Sequence, residues 1–148
     1  MSASTIMHLL RFRVSYKQRV LRKERFPSLT TEASLGNQQV APGSSVEFYK
    51  AALDESGGLE QTSGWVRLFM APGMAHCSGG EGPDTFDKIG LIEQWVERGK
   101  APEQIIAAHK TAGKTDRTRP LCPYPQVAHY DGAGNIDEAS NFSCRLPK

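Results

Sequence analysis

No apolar run among the 148 residues approaches the roughly 18 consecutive positions that a membrane-spanning helix needs, so no membrane partner is expected. Cysteine is scarce: Cys77, Cys122 and Cys144 form no C-x-x-C pair. His76 is adjacent to Cys77 while His109 and His129 are scattered, so the ligand spacing of a zinc site is missing. Charge of one sign is missing too. A formal net charge of +2 lies too near neutrality for a nucleic-acid binder. What is present fits one folded domain: hydrophobic residues make up 39%, aromatics 8% and charged residues 23%. A chain of this length buries roughly two-thirds of its unfolded surface.

The charge is unevenly spread. Residues 1–36 carry seven Lys/Arg against Glu24 and Glu32, a net +5, whereas residues 37–148 carry eleven against fourteen acids, a net −3. The first stretch also has no glycine before Gly36, one proline (Pro27), and no apolar period after Leu10. It reads as a separate basic leader, solvated or poorly ordered. It is no secretory signal, because Ile6–Leu10 precedes the arginines instead of following them and is too short. A mitochondrial transit peptide shares the Arg-rich, acid-poor composition. A nucleic-acid arm lacks its usual glycine and aromatic interleaving here.

The remainder carries readable elements. Pro42-Gly43 make a turn, and Ser44 with Glu47 three residues on forms a capping box for a helix bearing Val46, Tyr49 and Leu53, stopped by Gly57-Gly58. Trp65–Met70 is too short and too apolar for a surface helix and suits a strand in a parallel sheet. A second helix is expected with Asp84 as N-cap, Phe86, Ile89, Ile92 and Val96 on its inner stripe, and Gly99 at its end. Ile105–Ala108 is a short strand or turn, and from Gly113 on the Pro/Gly/Asp-rich chain reads as an extended arm. Strand, loop, helix in that order is an α/β pattern.

Between strand and second helix lies the densest chemistry: Ala71-Pro72-Gly73-Met74-Ala75-His76-Cys77-Ser78-Gly79-Gly80-Glu81-Gly82-Pro83. Chemistry in open α/β sheets collects beyond the carboxyl ends of strands, which is where His76 falls. The loop is too glycine-rich for His76 to be core filler. The run Val66–Gly80 closely resembles the tannase and feruloyl esterase family of α/β-hydrolases. The resemblance continues through Gly82–Asp87, Gln94–Pro102, His109-Lys110-Thr111, Asp116–Val127 and Asn141–Cys144, so it covers nearly everything from about Gln38 onward.

That resemblance implies the C-terminal part of an α/β-hydrolase sheet and a Ser-His-Asp ester hydrolase. Its substrates would be small aromatic-acid esters such as gallates or hydroxycinnamates, split without a cofactor by a secreted or periplasmic enzyme. His76 maps onto the catalytic histidine. Cys77 maps onto a cysteine that bonds a second one beside the nucleophilic serine, tying the two catalytic groups together. Cys122 and Cys144 map onto a disulfide in the tail, leaving Cys77 a half-cystine; in a reducing cytosol all three would stay free.

Two parts of the pattern are missing. No cysteine precedes Cys77, so the nucleophile segment that chain order places upstream is absent. Asn37 stands where the triad acid is expected. The chain therefore reads as a C-terminal fragment, residues 37–148, behind an unrelated leader, and inactive alone. The competing readings are a non-catalytic remnant and a binding module built on Arg11 to Arg25. Missing neighbours also predict unpaired edges beside Trp65–Met70.

Overall fold

A computed structural model describes the backbone of residues 28–33 and residues 42–76 and 78–148 in full. Cys77, Asn37 and most of the basic stretch lie outside the described residues. The centre of the fold is a strand, β2 (Val66–Ala71), running parallel to β1 (Ser28–Ala33) in the register Ser28 to Val66 through Ala33 to Ala71. Six residues of the stretch set apart as a leader thus form β1, next to the expected strand. The opposite edge of β2 is met by the chain at Pro123 and Tyr124, whose N–H donates to Leu68 O at 2.8 Å. The expectation of unpaired edges here is corrected: both edges of β2 have partners.

Side-chain alternation along β2 divides the interior in two. Val66, Leu68 and Met70 pack toward helix α1 (Pro42–Glu55) with Tyr49, Val46 and Leu53. Phe69 and Ala71 pack toward helix α3 (Lys88–Arg98) with Trp95, Ile105, Ala107 and Leu121. A strand covered on both faces by helices accounts for its near-continuous apolar sequence.

Both helices begin elsewhere than their sequence signals suggest. The first starts at Pro42, two residues before Ser44, because a proline at the first helical position has no N–H to leave orphaned and a φ already set for the helix. Glu47 pairs with Lys50 on the surface at 3.3 Å. The short helix α2 (Leu59–Thr62) follows the Gly57-Gly58 stop. For α3 the cap is Asp87, whose Oδ1 accepts Gly90 N–H at 2.9 Å, and not Asp84. The inner stripe also turns: Ile89 and Val96 are exposed, while Leu91, Ile92 and Trp95 face the core. Trp95 decides this, since an indole buries more area than Ile89 or Val96 and its Nε1 finds Gly64 O at 3.1 Å. Gly99 ends the helix as expected, in the left-handed region at φ 63°.

Ile105–Ala108 is strand, and the expected arm after Gly113 is instead its antiparallel return strand followed by a second antiparallel pair. Strand β3 (Ile105–Thr111) turns through Ala112 (φ 50°) and Gly113 (φ 78°) into β4 (Lys114–Leu121), the two-residue mirror-image turn that suits strand twist. Strands β5 (Val127–Tyr130) and β6 (Phe142–Arg145) pair from Val127–Arg145 to Tyr130–Phe142. Polar contacts hold this second hairpin to β4: Thr118 N–H donates to Asp137 O at 2.8 Å, and the Arg119 guanidinium lies 4.5 Å from the Phe142 ring centre.

Cys122, at the end of β4, and Cys144, in β6, are joined by a disulfide across 22 residues of sequence. Closing a loop of that size restricts the unfolded chain by about 3 kcal/mol. Peptide mapping of the oxidised protein is expected to recover the Cys122–Cys144 link. Cys144→Ser should lower unfolding stability by about 3 kcal/mol in denaturant titration, an expectation that fails if the midpoint does not move.

Candidate active site

Beyond Ala71 the chain leaves the sheet and folds into a small hairpin-like loop that carries His76. Met74 N–H donates back to Ala71 O at 3.3 Å, Gly82 N–H to Gly73 O at 2.9 Å, and Ala75 N–H to Gly79 O at 2.8 Å. His76 is therefore the first residue inside a turn closed by the Ala75–Gly79 bond, partly buried at the carboxyl end of β2. The glycines are what let the two arms approach. A Cβ on Gly80, at φ +91°, would run into Gly73 O and Ala75 N, and one on Gly82 would run into Pro72 O. Side chains at these positions would force the arms apart and move the histidine.

Outside contacts fix the loop. Asp84 Oδ2 accepts Gly79 N–H at 2.5 Å, and Arg117 Nη2 donates to Glu81 O at 3.0 Å. The chain leaving the loop makes one bridge to β3, with Ala108 N–H donating to Thr85 O at 2.8 Å and Thr85 N–H to Ala108 O at 3.0 Å. Ala107 beside it is fully buried, so the loop is pinned to the core through one backbone pair.

A second polar cluster stands on the hairpin. The pairing of β3 with β4 shifts register after His109: His109 faces Arg117 and Lys110 faces Thr115, which leaves Asp116 as the extra residue of a bulge. Bulges re-aim a side chain. Here the Asp116 carboxylate reaches His109 Nδ1 at 2.7 Å and the Thr111 hydroxyl at 2.5 Å. The Thr111 bond, then the His109 bond, holds the Asp116 carboxyl below the usual aspartate range. The Asp84 carboxyl is lowered as well, chiefly by the Gly79 N–H and secondarily by the Thr85 hydroxyl. Among the described residues no group of three His, Cys, Asp or Glu is placed to hold a metal ion.

Of the residues singled out from sequence, His76 stands in the loop at the end of β2, and Cys122 with Cys144 staples the tail. Cys77 and Asn37 lie outside the described residues. Asp84 reads from sequence as a helix cap and instead holds the histidine loop, while the contacts of His109, Asp116 and Arg117 depend on cross-strand register, which one-dimensional spacing does not carry. Their only signal toward the site was membership in the stretches Gly82–Asp87, His109–Thr111 and Asp116–Val127.

A parallel strand between two helix-covered cores, ending in a glycine-walled loop that presents a histidine, belongs to an α/β-hydrolase sheet. A family model described as tannase and feruloyl esterase matches residues 34–145, and the chain belongs to that family. It is 53% identical over 88 residues to a mono(2-hydroxyethyl) terephthalate hydrolase of Piscinibacter sakaiensis, a match covering 57% of this chain and 15% of that protein. It is 35% identical over 114 residues to a probable feruloyl esterase of Arthroderma benhamiae, covering 74% of this chain and 21% of the relative. Among solved structures, an esterase from Aspergillus oryzae superposes with a TM-score of 0.72 at 29% identity, over 80% of this chain and 27% of that one. The chain thus spans about a fifth of the length of the curated relatives it matches.

Carboxyls lowered in the folded state add stability that is complete above the ordinary aspartate range and disappears as pH falls through the lowered folded values. Protection of the Gly79 amide from hydrogen exchange should accordingly stay level from neutrality to about pH 4 and decline below it. Asp84→Asn should remove that acid-side decline, and an unaltered decline in the variant would assign it to another group.

Proposed function

We propose that this chain supplies the histidine-bearing part of a carboxylic ester hydrolase that uses a Ser-His-Asp mechanism on small esters of aromatic acids. The observation that carries this reading is the placement of His76 in a hydrogen-bonded, glycine-walled loop at the carboxyl end of a buried parallel strand. An imidazole held there takes the proton of a serine hydroxyl as the oxygen attacks the ester carbonyl, and returns it to the departing alcohol. Water then repeats the cycle to release the acid. One relative is named for hydrolysing a terephthalate ester and another as a feruloyl esterase; both acids have a carboxyl conjugated with an aromatic ring, directly or through a vinyl group, which supports that substrate class here.

Serine and acid are not assigned among the 148 residues. No cysteine precedes Cys77, so the cysteine-flanked nucleophile is not in this stretch. Asn37, where the acid is expected, would leave the imidazole in the wrong tautomer, at a cost on the order of 10⁴ in turnover. Cys77 is read as one half of a bond to the cysteine beside that serine, with residues 37–148 as the hydrolase portion and 1–36 as a leader whose Ser28–Ala33 lies along the central strand. The Cys122–Cys144 bond favours an oxidising compartment.

The purified 148-residue chain should split methyl ferulate or a terephthalate half-ester no faster than its His76→Ala variant does. Grafted in place of the matching segment of the terephthalate half-ester hydrolase, residues 37–148 should support turnover that His76→Ala reduces by about 10⁴-fold or more. A graft that keeps its rate without His76 would overturn the reading. His76-dependent turnover by the chain alone would place a nucleophile within it and overturn the assignment of the missing serine.

A further inference from the structure

We infer that Asp84 is the positioning residue for His76, gripping the tip of the histidine loop through the Gly79 amide. The inference rests on the reading of His76 as the general base. Its starting point is an apparent redundancy at the entry to α3. Sequence pattern makes Asp84 the helix cap, yet Asp87 fills that role through its bond to Gly90 N–H. Asp84 is thereby released from the helix, and its carboxylate points the other way, back into the loop.

The path from the core to the histidine is short and continuous. Ala107 is fully buried in β3. Ala108 beside it exchanges backbone hydrogen bonds with Thr85 and also accepts Asp84 N–H at 3.1 Å. Asp84 is therefore held by its backbone, and Thr85 Oγ1 donates to Asp84 Oδ1 at 3.0 Å, orienting the carboxylate. The remaining oxygen, Oδ2, takes Gly79 N–H at 2.5 Å. On the other side of that residue, Gly79 O receives Ala75 N–H at 2.8 Å. Gly79 is thus held from both directions, and the turn that it closes contains His76.

A charge-assisted bond suits this duty better than an apolar contact. The loop tip is exposed at Ser78, Gly79 and Gly80, where little apolar area is available to bury. A carboxylate on an amide is short and directional, roughly twice as strong as a neutral pair. A general base must lie within about 2.6–3.2 Å of the proton it takes, and a misplacement of about 1 Å costs roughly 10²-fold in rate. Arg117 on Glu81 O steadies the returning arm, while the Asp84 bond reaches into the turn that bears the histidine.

The test uses the full 148-residue chain and nuclear magnetic resonance, so it needs no turnover and stands or falls apart from the catalytic reading, which the graft experiment decides. In Asp84→Ala, the Gly79 amide should exchange at least about tenfold faster, and the His76 ring signals should shift or broaden, while the Ala107 amide keeps its protection. Asp84→Asn retains an acceptor oxygen without the charge. It should recover most of the Gly79 protection while moving the Gly79 proton upfield. Asp87→Ala, which removes only the helix cap, should lower the melting temperature and leave the Gly79 and His76 signals in place. Unchanged Gly79 and His76 signals in Asp84→Ala would overturn the inference, as would Asp87→Ala moving His76 equally. Should Asp84→Ala not fold, an unmoved Gly79 proton in Asp84→Asn overturns it alone.

Discussion

Everything in this molecule is arranged around the burial of β2 on both faces. Leu68 and Phe69 are neighbours in sequence, both fully buried, and they point into different cores. Each such side chain contributes about 1.5–3 kcal/mol on leaving water, and two faces double what one short strand can recruit. The cost is that neither core closes on local structure. One needs α1, which precedes the strand, and the other needs α3 and the β3–β4 hairpin, which follow it. Tyr49 and Tyr124, edge to face at 6.1 Å, show the convergence directly: one comes from α1, the other from the chain beyond β4.

A strand fixed so firmly gives a loop at its end a definite starting point, and the loop adds little to it. Its own bonds are backbone pairs made possible by missing side chains, at Gly80 and Gly82 above all. Glycine is an expensive way to build stability, since it gives up the most conformational freedom on folding. It is the only way to bring two strands of chain this close without a Cβ between them. The loop therefore spends stability for shape, and its fixed points lie outside it, on β3 and β4. Function and fold meet at that boundary: the core holds the hairpin, the hairpin holds Thr85 and Asp84, and these hold the turn around His76.

This division explains what could be read from the sequence. Trp65–Met70 was legible to within one residue, because a run buried on both faces needs no partner to reveal it. The α/β order and the glycine-rich loop beyond the strand were legible for the same reason, and Gly99 declared the end of α3 by itself. The helix starts were not. Ser44 and Asp84 are good caps in isolation, but Pro42 opens the first helix with its φ already set, and Asp87 caps the second through Gly90 N–H. The inner stripe of α3 was ambiguous because Ile89–Ile92–Val96 and Leu91–Ile92–Trp95 share a helical period. Only the demand of the larger ring for a buried slot and for Gly64 O separates them. The hairpins escaped because Ala112-Gly113 is a weak turn signal and β4, the strand that follows it, is polar.

Polar strands far from the densest core need another source of rigidity, and beyond the Tyr130–Phe142 ring contact the tail supplies it mainly through polar pairs and a covalent link. Asp137 accepts Thr118 N–H and lies 3.5 Å from the Arg119 guanidinium, while Asp131 pairs with Arg145 at 2.7 Å. Exposed pairs of this kind contribute at most about 1 kcal/mol each, too little to order a hairpin alone. The disulfide changes that balance. By tying Cys144 to Cys122 it keeps β6 near β4 even when the polar contacts open, so those contacts re-form at no cost in chain closure. The same β4 carries Asp116 against His109 and Arg117 against the histidine loop. Stapling the tail thus steadies the outer face of the hairpin whose inner face anchors the loop, and the covalent link reaches the candidate site through two strands instead of through contact with it.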